Sequence, residues 1–284
     1  MLNRVSAVIV TYNPDLLNLN RLIKSIISQV FEVIIVDNSE KTIDLSDYSS
    51  NSNVKVISFS NNLGIAFALN TGFKQAINDG ANWIISFDQD SIPPNDIVSR
   101  LIAQISNSLY DIDLIAPCYY IKGNDYIFLD KCIPVKEVIT SGSMVRASAY
   151  KAVGGFKDEL FIDSVDTEFS WNLLTHGFSV YMYQGIELKH QLGTNSRNIN
   201  LFGLRIMTIT NHNHIRYYYM TRNAYYVSNM YKNELGFHAI NYRYKGIKIL
   251  IKVLLFEKDK FRKCRYIIKG YKDFKNKIMG KYNG

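Results

Sequence analysis

Two carboxylates one residue apart close an apolar run: Trp83-Ile84-Ile85-Ser86-Phe87 leads into Asp88-Gln89-Asp90. Such a pair repels itself unless a cation or a hydrogen-bond donor neutralises it. Its oxygen atoms suit a hard divalent ion, which could bridge two phosphates; a solvated turn is the plainer alternative. Two more polar clusters end similar runs. Thr11-Tyr12-Asn13 follows Val5-Ser6-Ala7-Val8-Ile9-Val10, and Asp37-Asn38-Ser39 follows Val33-Ile34-Ile35-Val36. Tyr12 could stack on a base, and Asp37 could accept hydrogen bonds from base or ribose. Asp and Asn at a strand end also serve turn chemistry alone.

For the three clusters to act together, the runs before them must be neighbouring parallel strands. They are short, apolar and β-branched, as are Val54–Phe59 and Leu114–Ala116, which predicts buried strands. Between them, Leu16, Leu19, Leu22, Ile23, Ile26 and Ile27 fall at helical spacing, as do Ala66, Leu69, Phe73 and Ala76. Strand alternating with helix predicts a doubly wound α/β sheet. Ligands of such sheets bind beyond the carboxyl ends of the strands, where all three clusters lie. The first helix is expected from about Pro14, behind Asn13, and the next after Asn61-Asn62-Leu63-Gly64. Beyond about Asp111 the alternation weakens. Glycine turns occur at Ser141-Gly142-Ser143 and Gly154-Gly155, and a helix is expected over Val165–Thr175, stopped at His176-Gly177. The first of these turns could open room for an acceptor or be structural only. Leu192 to His212 is polar and unpatterned, which predicts a mobile loop; from Tyr217 the pattern is helical to the end.

At 284 residues the chain can bury a substantial core. No run approaches the roughly 18 to 20 apolar residues of a membrane-spanning helix. The start, Met1-Leu2-Asn3-Arg4, has no small-residue cleavage site and runs straight into the first strand, so a signal peptide is not expected and the cytoplasm is the expected compartment. Cys118, Cys132 and Cys264 are too scattered for a disulfide framework or a C-x-x-C site. Charge is uneven: residues 1–231 carry 18 Lys/Arg against 21 Asp/Glu, and residues 232–284 carry 15 against 4. The tail therefore points to an anionic surface or partner.

Taken in order, Val8-Ile9-Val10-Thr11-Tyr12-Asn13, Val36-Asp37-Asn38, Asn61-Asn62-Leu63-Gly64-Ile65-Ala66 with Asn70 and Gly72, and Asp88-Gln89-Asp90 resemble the nucleotide-binding blocks of family-two inverting glycosyltransferases. Phe161-Ile162-Asp163-Ser164-Val165-Asp166-Thr167-Glu168-Phe169 is similar to that family's acidic acceptor motif, in the version of bacterial rhamnosyltransferases of polysaccharide synthesis. The resemblance covers roughly residues 5 to 223. It implies a GT-A type α/β fold: a Rossmann-like, mostly parallel sheet with flanking helices in residues 1–231, its nucleotide-binding half about 1–110 and its acceptor half about 111–231. A basic helical extension over 232–284 would follow.

The same resemblance implies donor contacts at Thr11, Tyr12, Asn13, Asp37, Asn62, Gly64, Asn70, Asp88 and Asp90, with Mg or Mn held by Asp88, Asp90 and His190. Acceptor contacts fall at Ser141, Gly142, Asp163 and Glu168. The family's Glu-Asp pair is Val165-Asp166 here; the first acid is missing, which leaves Asp166 as the expected base. Acids near a helix start also cap it, so Asp163, Asp166 and Glu168 have that second reading. Arg216, in a stretch that resembles the family's Arg-Tyr-Tyr and Arg-Asn region, could contact a diphosphate or simply begin a solvated helix. The implied donor is dTDP-rhamnose, with a UDP-sugar as the alternative, and the implied acceptor is a lipid-linked glycan. The tail could rest on the inner face of the plasma membrane or pack on the catalytic domain. No G-x-G-x-x-G or P-loop pattern is present, and no nucleic-acid motif accompanies the basic tail. A sugar-nucleotide or glycan binder that has lost its chemistry is the non-enzymatic alternative.

Overall fold

Alternating apolar side chains along Val5–Thr11 (β1) feed two faces of one sheet. On one face Val5, Ala7 and Ile9 share a core with Leu19, Leu22, Ile23 and Ile26 of helix Leu16–Ile26 (α1). On the other, Val8 meets Gly72 of helix Ile65–Asn78 (α3) so closely that a methyl group there would lie 2.4 Å from Val8 Cγ1. The computed structural model describes residues 4–41, 43–49, 51–119, 129–188, 197–201, 204–209 and 211–284. Between these elements come Glu32–Asp37 (β2), the short helix Ser46–Ser49 (α2) and Val54–Ser58 (β3). Trp83–Asp88 (β4), Ile97–Asn107 (α4), Leu114–Tyr119 (β5), Cys132–Pro134 (β6), Met144–Arg146 (β7), Ala147–Val153 (α5), Val165–Thr175 (α6) and Val180–Leu188 (β8) follow.

The eight strands order as β3-β2-β1-β4-β7-β5-β8-β6. Pairing is parallel from β3 to β4; β7 is antiparallel to both of its neighbours, and β6 to β8. The expected α/β architecture is present. Two local expectations need correction. Asp15, not Asn13 or Pro14, caps α1: its Oδ1 accepts the N–H of Leu17 at 2.8 Å and of Asn18 at 3.4 Å, while Asn13 sits at φ +45°. A carboxylate one residue before the first turn reaches those free donors, whereas Asn13 stands three residues before the helix. In addition, the span read as an unpatterned loop contains the strands Arg197–Leu201 (β9) and Leu204–Ile209 (β10), paired antiparallel with Leu204 opposite Leu201. The apolar residues of these strands, Ile199, Leu201, Leu204, Ile206, Met207 and Ile209, are interspersed with polar ones in runs too short and too irregular to stand out from the polar stretch around them.

The chain divides into two units, one of Met1–Asp158 with Val165–His190 and the other of Glu159–Ser164 with Gln191–Gly284. The second is built on His214–Leu235 (α7), Phe237–Arg243 (α8), Lys245–Phe256 (α9) and Lys260–Lys275 (α10). Tyr217, Ile249, Val253 and Ile267 form its apolar centre. Beside them, buried Glu257 accepts the Tyr217 hydroxyl and pairs with Lys263 at 2.9 Å and Lys252 at 3.5 Å. Burial pushes its carboxyl up, but those partners outweigh burial and hold it below its ordinary value. No helix among the described residues is long and apolar enough to cross a membrane.

His212 borders this cluster. Burial, then the positive charges of Arg216, Lys252 and Lys263, lower it from 6.5 to about 4, against the pull of Glu257. The unfolded imidazole binds a proton that the folded one refuses, so its contribution is complete above about pH 6.5 and is lost as pH falls towards 4. His214, also lowered by burial, acts in the same direction. The melting temperature should therefore fall between pH 7 and pH 5. A His212→Gln variant should show a shallower fall, and an unchanged slope would remove His212 from this account.

Candidate active site

Register sets the candidate site. In the paired strands Thr11 stands opposite Asp37, and Val10 opposite Asp88. The carboxyl ends of β1, β2 and β4 thus lie side by side, with three polar loops issuing from one edge. Their hydrogen bonds hold the loops to each other. Asp37 is almost fully buried; its Oδ1 accepts Thr11 Oγ1 at 2.9 Å, Ser39 Oγ at 2.6 Å and the Ser39 N–H at 3.3 Å. Ser39 Oγ in turn accepts the Asn13 N–H at 2.8 Å. The Tyr12 N–H donates to Gln89 Oε1 at 2.7 Å, and Gln89 Nε2 returns a bond to the Tyr12 carbonyl at 3.2 Å. Gln89 thereby copies a peptide group and fastens the first loop to the loop that carries Asp88 and Asp90. Tyr12 keeps 43% of its surface exposed, leaving a ring face open for stacking.

The next loop is tied in through Asn38. Its Nδ2 donates to Asn62 Oδ1 at 3.0 Å and its Oδ1 accepts the Leu63 N–H at 2.8 Å. Asn62 Oδ1 also takes the N–H of Gly64, which lies at φ +94° just before α3. Asn70 is placed differently. Its Oδ1 accepts Tyr150 Oη and the Phe156 N–H, and its Nδ2 donates to the Phe156 carbonyl and Asp158 Oδ1. All four hydrogen-bonding positions of the amide are used, three of them in holding residues 156–158 and one on Tyr150.

The Ser141-Gly142-Ser143 turn is stitched to β4 directly below the acid pair. The Gly142 N–H donates to the Ser86 carbonyl at 2.6 Å, the Ser86 N–H to the Ser143 carbonyl at 3.0 Å, and the Asp88 N–H to Ser141 Oγ at 3.3 Å. Gly142 has φ +76°, and a methyl group there would meet Leu188 and Pro117 carbons at 2.9 Å, so backbone and space both require glycine. Asp166, half-buried in the first turn of α6, accepts the Thr167 N–H at 2.9 Å. It lines a cavity of about 10 Å³ with Ser86, Thr140, Ser143 and Ser170, room for one water. Glu168 is fully buried, with its Oε1 4.0 Å from Lys157 Nζ.

Asp163 and Arg216 belong to the second unit and meet there, with Nη2 of Arg216 3.4 Å from Asp163 Oδ1. Phe161, Asp163 and Ser164 all have positive φ, between +63° and +65°. Side chains rarely adopt that conformation, at a cost of about 1–3 kcal/mol each. Two residues of α7 hold it. Asn223 Nδ2 donates to the carbonyls of Leu160, Ile162 and Asp163 at 2.9, 2.7 and 2.9 Å. Arg222, fully buried, donates to the carbonyls of Glu159 and Leu160 and, at 2.7 Å, to Gly280. In sequence, Arg222 and Asn223 stand out only as part of the stretch that resembles the family's Arg-Asn region and Gln89 only as the residue between two acids, with no task for any of the three. The available signal was an Arg-Asn pair inside an otherwise aromatic helix, which has to be satisfied if it is buried.

Among the described residues no three His, Cys, Asp or Glu side chains gather as a metal cluster, and His190 lies outside the described residues. The acid pair still fits a divalent ion. Magnesium is commonly held by one or two carboxylates plus substrate phosphates rather than by an all-protein cage, and Asp88 and Asp90 are both only half-buried at the open edge.

Residues 6–157 match the glycosyl transferase family 2 model. The dTDP-rhamnosyl transferase RfbF of Shigella flexneri is 32% identical over 243 residues, 79% of this chain and 80% of that protein. Among solved structures, S. aureus TarS 1–349 superposes with a TM-score of 0.61 at 14% identity, covering 97% of this chain and 83% of that one. GalNAc-T7, solved with UDP, GalNAc and Mn2+, gives 0.64 at 16% identity, covering 98% of this chain and 56% of that one. These two likenesses concern the fold. With the family model spanning more than half of the chain and a relative aligned over most of it, the protein belongs to glycosyl transferase family 2 and is a sugar-nucleotide-dependent glycosyltransferase.

Proposed function

We propose that the enzyme transfers rhamnose from dTDP-rhamnose, with inversion, to a hydroxyl of a lipid-linked polysaccharide precursor at a membrane face. The observation that carries this reading is the three-loop edge, in which Thr11 stands opposite Asp37 and its neighbour Val10 opposite Asp88. The donor is supported by the 32% identity to a dTDP-rhamnosyl transferase. Tyr12 and Asn13 border the base, Asp37 and the loop of Asn62 and Gly64 shape the nucleoside side, and Asp88 and Asp90 face the diphosphate. A divalent ion held by these two acids, with His190 a further ligand, would neutralise the leaving diphosphate. Ser141 and Gly142 shape the acceptor side.

Asp166 accepts the proton of the acceptor hydroxyl as its oxygen bonds to the anomeric carbon, and the bond from that carbon to the diphosphate oxygen breaks. The nucleoside diphosphate leaves with the bonding electrons, and no covalent enzyme intermediate forms. Arg216, paired with Asp163 in the described state, supplies a guanidinium suited to phosphate oxygens.

A thermal-shift comparison of dTDP-rhamnose with UDP-sugars, with and without magnesium or manganese, tests the donor and the metal. A ligand at a hundred times its Kd adds about 2.7 kcal/mol of stability. Metal-dependent stabilisation by dTDP-rhamnose, lost in Asp88→Asn, is the expected result. Stabilisation by a UDP-sugar alone would replace the donor, and a response to none of them would overturn the site.

A further inference from the structure

Helices α8 and α9 carry apolar residues on two sides. The inward side is accounted for: Ile249 and Val253 pack with Tyr217. The outward side is not. Phe237, Ile240, Tyr244, Ile247, Ile251 and Leu254 recur at steps of three and four residues, and each is between 44% and 82% exposed. Tyr244, the single residue between the helices, keeps right-handed helical backbone. An exposed apolar stripe of this regularity marks a surface made to be covered.

Charge decides what covers it. Residues 235–256 contain no Asp or Glu, and Arg243 and Lys248 flank the stripe in exposed positions. Just beyond α9, Phe261 is 95% exposed between the exposed cations Lys258, Lys260 and Arg262. Of the four acids in 232–284, Glu257 and Asp273 are buried and bound to Lys263 and Lys269, which leaves Glu234 and Asp259 as the exposed acids among many exposed lysines and arginines. A helix pair formed on this seam with a second copy would flank it with Asn241, Arg243, Lys248, Leu250 and Leu255. All charge there is positive, so two copies repel. An anionic bilayer offers what the stripe lacks: acyl chains for the apolar side chains, and headgroup phosphates for the lysines and arginines, with aromatic rings such as Phe237, Tyr244 and Phe261 at the boundary.

We propose that α8 and α9, with Phe261 at the start of α10, form an in-plane docking surface for an anionic membrane. This deepens the lipid-linked acceptor proposed above and rests on it for its purpose, yet binding is read without donor or acceptor, so the two can fail separately. The test is co-sedimentation of the full chain with vesicles of phosphatidylcholine alone or mixed with phosphatidylglycerol, at low and high salt. Binding to the mixed vesicles should exceed binding to neutral ones by roughly tenfold and weaken with salt. The triple variant Ile247→Ser, Ile251→Ser, Leu254→Ser should keep the wild-type melting temperature and activity on a water-soluble acceptor but lose vesicle binding roughly tenfold or more. Lys248→Glu should cost roughly fivefold. Equal binding by the triple variant, salt-independent binding to neutral vesicles, or a dimer that the triple variant dissolves would each overturn the proposal.

Discussion

Asp166→Asn is expected to lower kcat by about a hundred- to ten-thousand-fold, the range over which a positioned general base acts. The substitution is nearly isosteric, and its side-chain oxygen can still accept the Thr167 N–H that Asp166 accepts at 2.9 Å. What it removes is the capacity to take a proton. Asp166 lies on α6, outside the three donor-side loops, so stabilisation by dTDP-rhamnose with metal should match the wild type. Steady-state transfer assays beside thermal shifts separate the two effects. Activity within tenfold of wild type would assign the base elsewhere in the acidic motif.

The second large effect is expected at Asn223. Replacing it with alanine leaves the carbonyls of Leu160, Ile162 and Asp163 without their shared donor. It also frees the Arg222 Nε, which donates to Asn223 Oδ1 at 2.9 Å. Each buried polar group left unsatisfied costs about 1–3 kcal/mol, and here they sit in a loop already held at positive φ. A loss of about 2–4 kcal/mol in unfolding free energy is expected from denaturant melts. At a temperature where the variant stays folded, kcat should fall more than donor KM rises, because the disturbed segment ends one residue before α6. A variant that melts with the wild type would show that Arg222 and the stacking of Phe161 on Tyr219, at 5.2 Å, hold the loop without it.

The nucleotide-side half was legible where strands are buried on both faces. Continuous β-branched runs announced β1, β2 and β4, and each ended in the polar cluster that now shares an edge. Helix α6 was also legible over Val165–Thr175, through its glycine stop and acidic start. Strand β7 was not, because three residues between two other strands are too short for any period to register. Asn70 was read with the donor loops for its place in a motif, while its partners lie some 80 residues further along the chain. Gln89 illustrates the same difficulty from the other direction. Between two acids it looks like a spacer, and only the reciprocal bonds to Tyr12 give it a task.

Glu159–Ser164 is grouped with residues 191–284, although both of its neighbours along the chain lie in the other unit. The chain therefore passes from one unit to the other three times. A truncation ending near residue 190 would keep the acidic segment but discard Asn223, Arg222, Tyr219 and Gly280, together with Arg216, Tyr226 and Tyr242, which bind Asp163, Glu159 and Ser164. Exchanging residues 191–284 between related enzymes would thus do more than swap a basic tail: each imported segment must bring donors that fit six residues of its new host.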